Sequence, residues 1–292
     1  MSAGHTSTVL VHGAVNPDLV LRVDRLPAPG DDIPAETWDL GYGGGAANAA
    51  VALAGWGIDV VMTGLVLGDD PLGQAVTRAL SRSHLDLSHL EHDPAARTRF
   101  CVVLLTPDGD RTIVSTGYRG ARWQRVPERV WERAAAVLVD GYAGNGREVV
   151  AEARRRSLPV VWLDAPVADA PLADLVVWSR HEHGPAALES AVAAGATVAL
   201  TAGASPVAVA GPVARFDVEP PRVEVADATG AGDVFAAACT RGLLLDRGLH
   251  LSVVWAAAAG AAAAEIGRTA GAPSIESVER LLDLGRSTTE AL

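Results

Sequence analysis

Short apolar runs rich in valine and leucine alternate with longer stretches of helical period along most of this chain. "TVLVHG" (8–13) predicts a first strand, and "AANAAVALAGWG" (46–57) a helix stopped near Gly57. "DVVMTGL" predicts the next strand. A helix over "DDPLGQAVTRALSRS" follows, with an aspartate cap and Pro71 in its first turn. The alternation continues through "AAVLVDGY", "GREVVAEARRRS", "PVVWLDAP", "ADLVVWS", "GPAALESAVAAG" and "TVALTAG". Strands spaced this way by helices imply a mostly parallel sheet covered on both faces. From about residue 231 the pattern is nearly all helical.

Two segments break the rhythm. Residues 18–40 carry alternating apolar positions and prolines with little helical period, and 97–116 read as a hairpin turned at "PDGD". Both are expected to rise from the sheet as insertions and form a small β-lid. No internal repeat or linker marks a second unit, so one domain over 1–292 is expected.

Hydrophobic content of 49% and charged content of 20% describe a soluble globular chain. Runs such as "VVWAAAAGAAAAEIG" are dominated by alanine and glycine and end in charge, which suits packed interior helices rather than a membrane span. "MSAGHTSTVLVHG" lacks the features of a secretion signal, so a cytoplasmic location is expected. Cys101 and Cys239 lie far apart without metal-ligand spacing and read as unpaired thiols. A net charge of −11 argues against a nucleic-acid partner. All 24 basic residues are arginine, which excludes a Walker A loop and any lysine Schiff-base chemistry.

The candidate chemistry sits in two small-residue loops. "GYGGGAANAA" (41–50) fits a dinucleotide-binding fingerprint at Gly41, Gly43 and Ala46, but it starts about 28 residues after the first strand instead of directly behind it. The alternative is that the glycines clear space for a ligand at a helix start, where Asn48 offers an amide. "NPD" (16–18) lies just past the first strand, where ligands bind in open α/β sheets. Asn16 and Asp18 read either as turn formers or, with Asn48, as groups that hydrogen-bond a polyol. "DATGAGD" (227–233) places open backbone amides at a helix N-terminus, a site for anions, with an acid standing within it.

Taken together, "GGGAANAAVALAGWG" and "DATGAGD" resemble the two signatures of the ribokinase (PfkB) family of carbohydrate kinases. The resemblance extends to Asn-x-Asp, both lid segments and "TAG" at 201–203, in order along the chain. It implies a ribokinase-like, doubly wound, mostly parallel α/β fold with a β-lid. It also implies ATP- and Mg2+-dependent phosphorylation of a hydroxymethyl group on a sugar or sugar acid. By the resemblance, Asp233 is the catalytic base and Gly230, Ala231 and Gly232 form the anion hole. Asn16, Asp18, Gly43, Gly44 and Asn48 contact the acceptor. Thr201 and Gly203 lie on the nucleotide side, and Glu182 organises magnesium and phosphates, through water. Asp227, Gly271 and Ser274 fall where many members bind a monovalent cation such as K+.

The chain departs from the family at Gly45, where many sugar kinases carry lysine, at Ala228 in place of threonine, and at Ser179 in "SRHEHG", where asparagine is usual. The last departure shifts magnesium organisation toward water, Arg180 or His181. On the lid, Arg99 and Arg111 read equally as solvated strand residues or as groups over the substrate. Tyr142, at a strand end, reads as a pocket wall or as packing. A nucleoside kinase is the nearest alternative, weakened by an aromatic content of 4%. A non-catalytic binding regulator of the same fold is the alternative from another class. Exposed lid edges invite a homodimer through the lid.

Overall fold

A computed structural model describes residues 8–107, 111–267 and 271–289, with side chains through 284. The strands begin with β1 (Thr8–Gly13), β2 (Asn16–Arg22), β3 (Thr37–Gly43), β4 (Val60–Gly64), β5 (Leu67–Gly68), β6 (His92–Asp93) and β7 (Cys101–Leu105). They continue with β8 (Arg111–Ser115), β9 (Ala134–Asp140), β10 (Val160–Leu163), β11 (Leu175–Ser179), β12 (Val198–Ala202), β13 (Ser205–Ala210) and β14 (Arg215–Val218). The helices are α1 (Gly45–Gly55), α2 (Pro71–Leu80), α3 (Glu128–Trp131), α4 (Gly146–Arg155), α5 (Pro185–Ala193), α6 (Ala231–Leu244), α7 (Leu249–Ile266) and α8 (Ile275–Thr289).

Eight strands form the main sheet in the order β14-β13-β12-β11-β10-β9-β1-β4. All pairings from β12 to β4 are parallel, and β13 and β14 add an antiparallel edge. The central strands are near-continuous apolar runs because helices cover both faces. Alternate residues divide between two cores. Val9, Val11, Leu138, Val161 and Val177 pack with α1, α6 and α7. Leu10, Val139, Trp162, Val176 and Trp178 pack with α3, α4 and α5.

Local signals explain the element ends. Asp70 caps α2 by accepting from Gly73 N–H at 2.8 Å, and Pro71 fills the first helical position. Gly57, just past α1, takes φ +75°, the left-handed stop that glycine tolerates. By length and composition, α7 is long and apolar enough to cross a membrane. Half of it is nonetheless buried inside the fold, with Ala256, Ala258, Ala259 and Ala262 fully enclosed. A Cβ at Gly242 of α6 would meet Ser252 Oγ at 2.2 Å, so the small residues are what let α6 and α7 approach closely.

A separate four-stranded sheet has the order β3-β2-β7-β8. It starts at Asn16, earlier than the pattern indicates, and so Asn16-Pro17-Asp18 is extended strand paired with Gly41–Gly43, not a turn. A residue before proline is driven toward extended backbone, which favours this outcome. β7 and β8 form the expected antiparallel hairpin, while positions 108–110 of its predicted turn lie outside the described residues.

Register separates the faces of this sheet. Leu19 and Leu21 of β2, Trp38 and Leu40 of β3, Val102 and Leu104 of β7, and Val114 of β8 share one face. Asp18, Cys101 and Arg111 lie on the other.

Candidate active site

The carboxyl ends of β1, β9, β10, β11 and β12 meet the N-termini of α1 and α6, the position where open α/β sheets bind ligands. Gly230 caps α6 with φ +82°, in the left-handed region. The first N–H groups of a helix have no intrahelical acceptor. At α6 they belong to Ala231, Gly232 and Asp233, and Ala231 N–H turns back onto Ala228 O at 3.2 Å. Gly232 is exposed with open space around it. Asp233 sits in the first turn, and Asn48 of α1 donates its Nδ2–H to Asp233 Oδ2 at 2.7 Å.

Two further carboxylates stand beside Asp233. Asp140 ends β9, is 1% exposed, and accepts from Ala14 N–H (3.0 Å), Ala46 N–H (3.3 Å) and Tyr142 N–H (2.9 Å). Burial pushes its pKa up to about 6 against these donors, with the Asp233 charge adding to the rise. Asp164 follows β10, with a backbone φ of +50° that is uncommon outside glycine. Its Oδ1 is buried without a hydrogen-bond partner. Burial, then Glu182, Asp233 and Asp140, push its pKa up to about 8. A Cβ at Gly45 would lie 3.2 Å from both Asp140 Oδ2 and Asp233 Oδ1, so glycine here keeps the space between the two acids open.

Asn16 and Asp18 are both buried. Asn16 Nδ2–H donates to Asp18 Oδ1, and its Oδ1 accepts from Tyr118 O–H at 2.6 Å. A Cβ at Gly43 would meet the Asp18 carboxyl carbon at 2.3 Å, and one at Gly44 (φ +94°) would meet Ala14 O at 2.4 Å. Tyr142 is half exposed, its ring 5.3 Å from that of Tyr118, which in turn lies 5.9 Å from Trp123. Arg99 donates from Nη2 to Arg119 O at 3.1 Å. Arg111 instead reaches the α6 loop, donating from Nη1 to Thr229 Oγ1 at 2.9 Å.

On the opposite side, Ser179 and Thr201 are register partners on β11 and β12, and Gly203 (φ +62°) turns into β13. Ser179 O accepts from Glu182 N–H (3.0 Å) and His183 N–H (2.9 Å), so the turn after β11 holds both side chains beside Asp164. Asp227 Oδ1 accepts from Thr229 N–H (2.9 Å) and Thr229 O–H (2.6 Å), pinning the α6 loop. Ser274 Oγ accepts from Ser277 N–H at 3.2 Å, as a helix cap does. Gly271 shares a small cleft with Asn48, Thr229 and Gly230.

Asp140, Asp164, Tyr118 and His183 are absent from the residues picked out of the sequence. A signal for two of them was present: "LVDG" and "WLDA" each end an apolar strand in an acid, and strand ends of a parallel sheet are where ligands bind. The tyrosines show where composition misleads. Only three occur in the chain. Tyr42 lines the Asn48 cleft, and Tyr118 and Tyr142 line the Asn16 side, so a low total coincides with an aromatic-rich site.

Comparison with known proteins agrees with this architecture. The model of the pfkB family carbohydrate kinases matches residues 6–158 and 167–276. The ATP-dependent ribose-1-phosphate kinase of Halopiger xanaduensis is 28% identical over 291 residues, covering 94% of this chain and 97% of that protein. The ribokinase of Bacillus subtilis is 26% identical, covering 94% and 99%. The fold is shared with Arabidopsis thaliana ribokinase complexed with ribose and ATP, at a TM-score of 0.79, 23% identity, and coverage of 95% and 98%.

Proposed function

Because the chain belongs to the pfkB family of carbohydrate kinases, phosphotransferases with an alcohol acceptor, we propose that it moves the terminal phosphoryl group of ATP onto a hydroxymethyl group of an uncharged sugar. The observation that carries this reading is Asp233 at the open end of α6, held by Asn48. Asp233, oriented by Asn48, takes the acceptor hydroxyl's proton as that oxygen bonds to the γ-phosphorus and the bond from phosphorus to ADP breaks. The N–H groups at the start of α6, where Gly232 stands in open space, hold the phosphoryl oxygens as charge develops on them. Arg111 brings a positive charge from the lid to the same loop. In a chain without lysine, arginine is the one side chain that stays cationic at any working pH.

A divalent cation would neutralise phosphate charge at this site. Asp164 and Glu182 fit it, because the buried, unpartnered Oδ1 of Asp164 lies beside a second carboxylate. The contacts of Asp227 and Ser274 are made within the chain itself, and the mechanism assigns no step to a monovalent cation. Asn16, Asp18 and Asn48 are suited to reading hydroxyls. Carboxylates at 18, 140 and 233 disfavour an anionic acceptor, so a neutral sugar is preferred here over a sugar acid or sugar phosphate. The Tyr118–Tyr142 pair favours one second reading, a nucleoside acceptor stacked by its base.

A coupled assay of ADP release over pentoses, hexoses, sugar acids, sugar phosphates and nucleosides tests the proposal. Turnover on a neutral sugar that is lost in Asp233→Ala supports it. Turnover confined to anionic acceptors or nucleosides, or retained in Asp233→Ala, overturns it. The apolar lid face also supports a homodimer, since Trp38 is 70% exposed and Val114 61% exposed with nothing covering them among the described residues.

A further inference from the structure

We propose that His183 is a direct ligand of the divalent cation, and that this makes the site select a first-row transition ion (Mn2+, Co2+ or Zn2+) over Mg2+. Donor atoms of Asp164, Glu182 and His183 all lie within 4.8 Å of one another, the spacing of groups that share one ion. The three come from two adjacent strand ends: Asp164 follows β10, and the turn after β11 carries the other two. Each is held in place independently of any ion. Asp164 N–H donates to Val177 O at 2.9 Å, while Glu182 and His183 are tied through their N–H groups to Ser179 O. The His183 ring stacks on Trp178 with centroids 4.3 Å apart and planes 16° from parallel. Trp178 is fully buried and donates from Nε1 to Ala165 O at 2.8 Å, so the surface under the imidazole is fixed.

Within this cluster, Asp164 Oδ1 is buried with no hydrogen-bond partner, and a buried carboxylate oxygen without a partner or ion is costly. A cation held among these three side chains would lie against the same carboxylate.

The donor set decides the ion. Mg2+ prefers oxygen ligands and keeps several waters. An imidazole nitrogen among two carboxylates adds little for Mg2+, more for Mn2+ and most for Co2+ or Zn2+. The motif "SRHEHG" thus has its functional histidine after the glutamate: His183 joins the cluster, while His181 is exposed and its N–H meets Ser179 Oγ at 3.3 Å.

This inference deepens the kinase reading, but its test needs no turnover. Full-length protein without nucleotide is titrated with Mn2+, free ion being followed by electron paramagnetic resonance, and with Co2+, followed by its visible absorption. Mg2+ competes in both titrations. The expected result is Mn2+ binding at least tenfold tighter than Mg2+. His183→Gln should lose about 10–100-fold in Mn2+ and Co2+ affinity, at least the cost of losing an outer-shell partner, with Mg2+ unchanged. Glu182→Gln should weaken all three ions. Equal affinities for Mn2+ and Mg2+, an unchanged Mn2+ affinity in His183→Gln, or no binding by the wild type overturns the proposal. Any of these with sugar phosphorylation intact leaves the kinase reading standing; failed phosphorylation with selective Mn2+ binding does the reverse.

Discussion

Asn48 and Asp233, 185 positions apart in the chain, are joined by a 2.7 Å hydrogen bond between the first turns of α1 and α6. The bond fixes the orientation of the Asp233 carboxylate. Asp233→Asn keeps the shape and removes the base, so kcat should fall by about 10²–10⁴ with little change in acceptor KM. Asn48→Ala should cost less, since it frees Asp233 to rotate without removing it. Steady-state kinetics on the best acceptor check both, and equal losses in kcat and KM for Asp233→Asn would contradict the assigned role.

Gly43 bears on acceptor binding through Asp18. Any Cβ there would stand 2.3 Å from the Asp18 carboxyl carbon. Gly43→Ala should therefore displace Asp18 and raise acceptor KM by about 10–100-fold, the cost of one hydrogen bond to a charged group. The KM for ATP should stay within twofold or so, and a rise in both would point to general damage.

Arg111 reaches the α6 loop from the lid. Arg111→Ala should lower kcat/KM by about tenfold, at the low end for a charge-assisted bond because the residue is exposed. Arg111→Lys should recover part of that loss. A kcat/KM unaffected by Arg111→Ala would remove this residue from the mechanism.

Two buried groups set opposing acid responses. His12, hydrogen-bonded to Thr63 and Asn145 at 2.9 Å each, has its pKa pushed down to about 4 by burial. Its contribution is present above the unfolded value near 6.5 and is lost as pH falls toward 4, on the order of 3 kcal/mol. Asp140, pushed up to about 6, acts with the opposite sign: its contribution is present below the unfolded value near 4 and lost as pH rises through 6. Asp164, raised to about 8, has the sign of Asp140. Between pH 6.5 and 4 the Tm of Asp140→Asn should fall more steeply than that of the wild type, and that of His12→Gln less steeply. Parallel curves from differential scanning calorimetry would refute this account.

The outer lid face predicts association. Trp38→Asp places a charge on the apolar face, which should convert a dimer to a monomer in light scattering at micromolar concentration. A wild-type protein that is already monomeric there would refute the lid dimer.

Much of this was legible in the chain because several signals agree at each element. The apolar strand runs, the Asp70 cap and the alanine-rich helices each have one low-energy interpretation. "NPD" was ambiguous, since proline and aspartate favour turns as readily as strand starts, and only pairing with Gly41–Gly43 decides it. At the site, the loops were visible through their glycines, which have few other reasons to cluster. Asp140 and Asp164 were not, because a single acid after a strand resembles any solvated loop residue until the neighbouring strand ends are aligned. That His183 and not His181 joins Asp164 and Glu182 is invisible in the chain, because spacing does not say which side chain turns inward.

The span between Asn48 and Asp233 also has a temporal meaning. During synthesis the sheet strands from β1 to β12, with Asp140 and Asp164, emerge from the ribosome before Asp233 does. Such a chain carries the acids that follow the central strands β9 and β10, yet it lacks the proposed base and the α6 amides. Because α6 also closes one of the two cores, the final helices complete the packing and the proposed site in the same event.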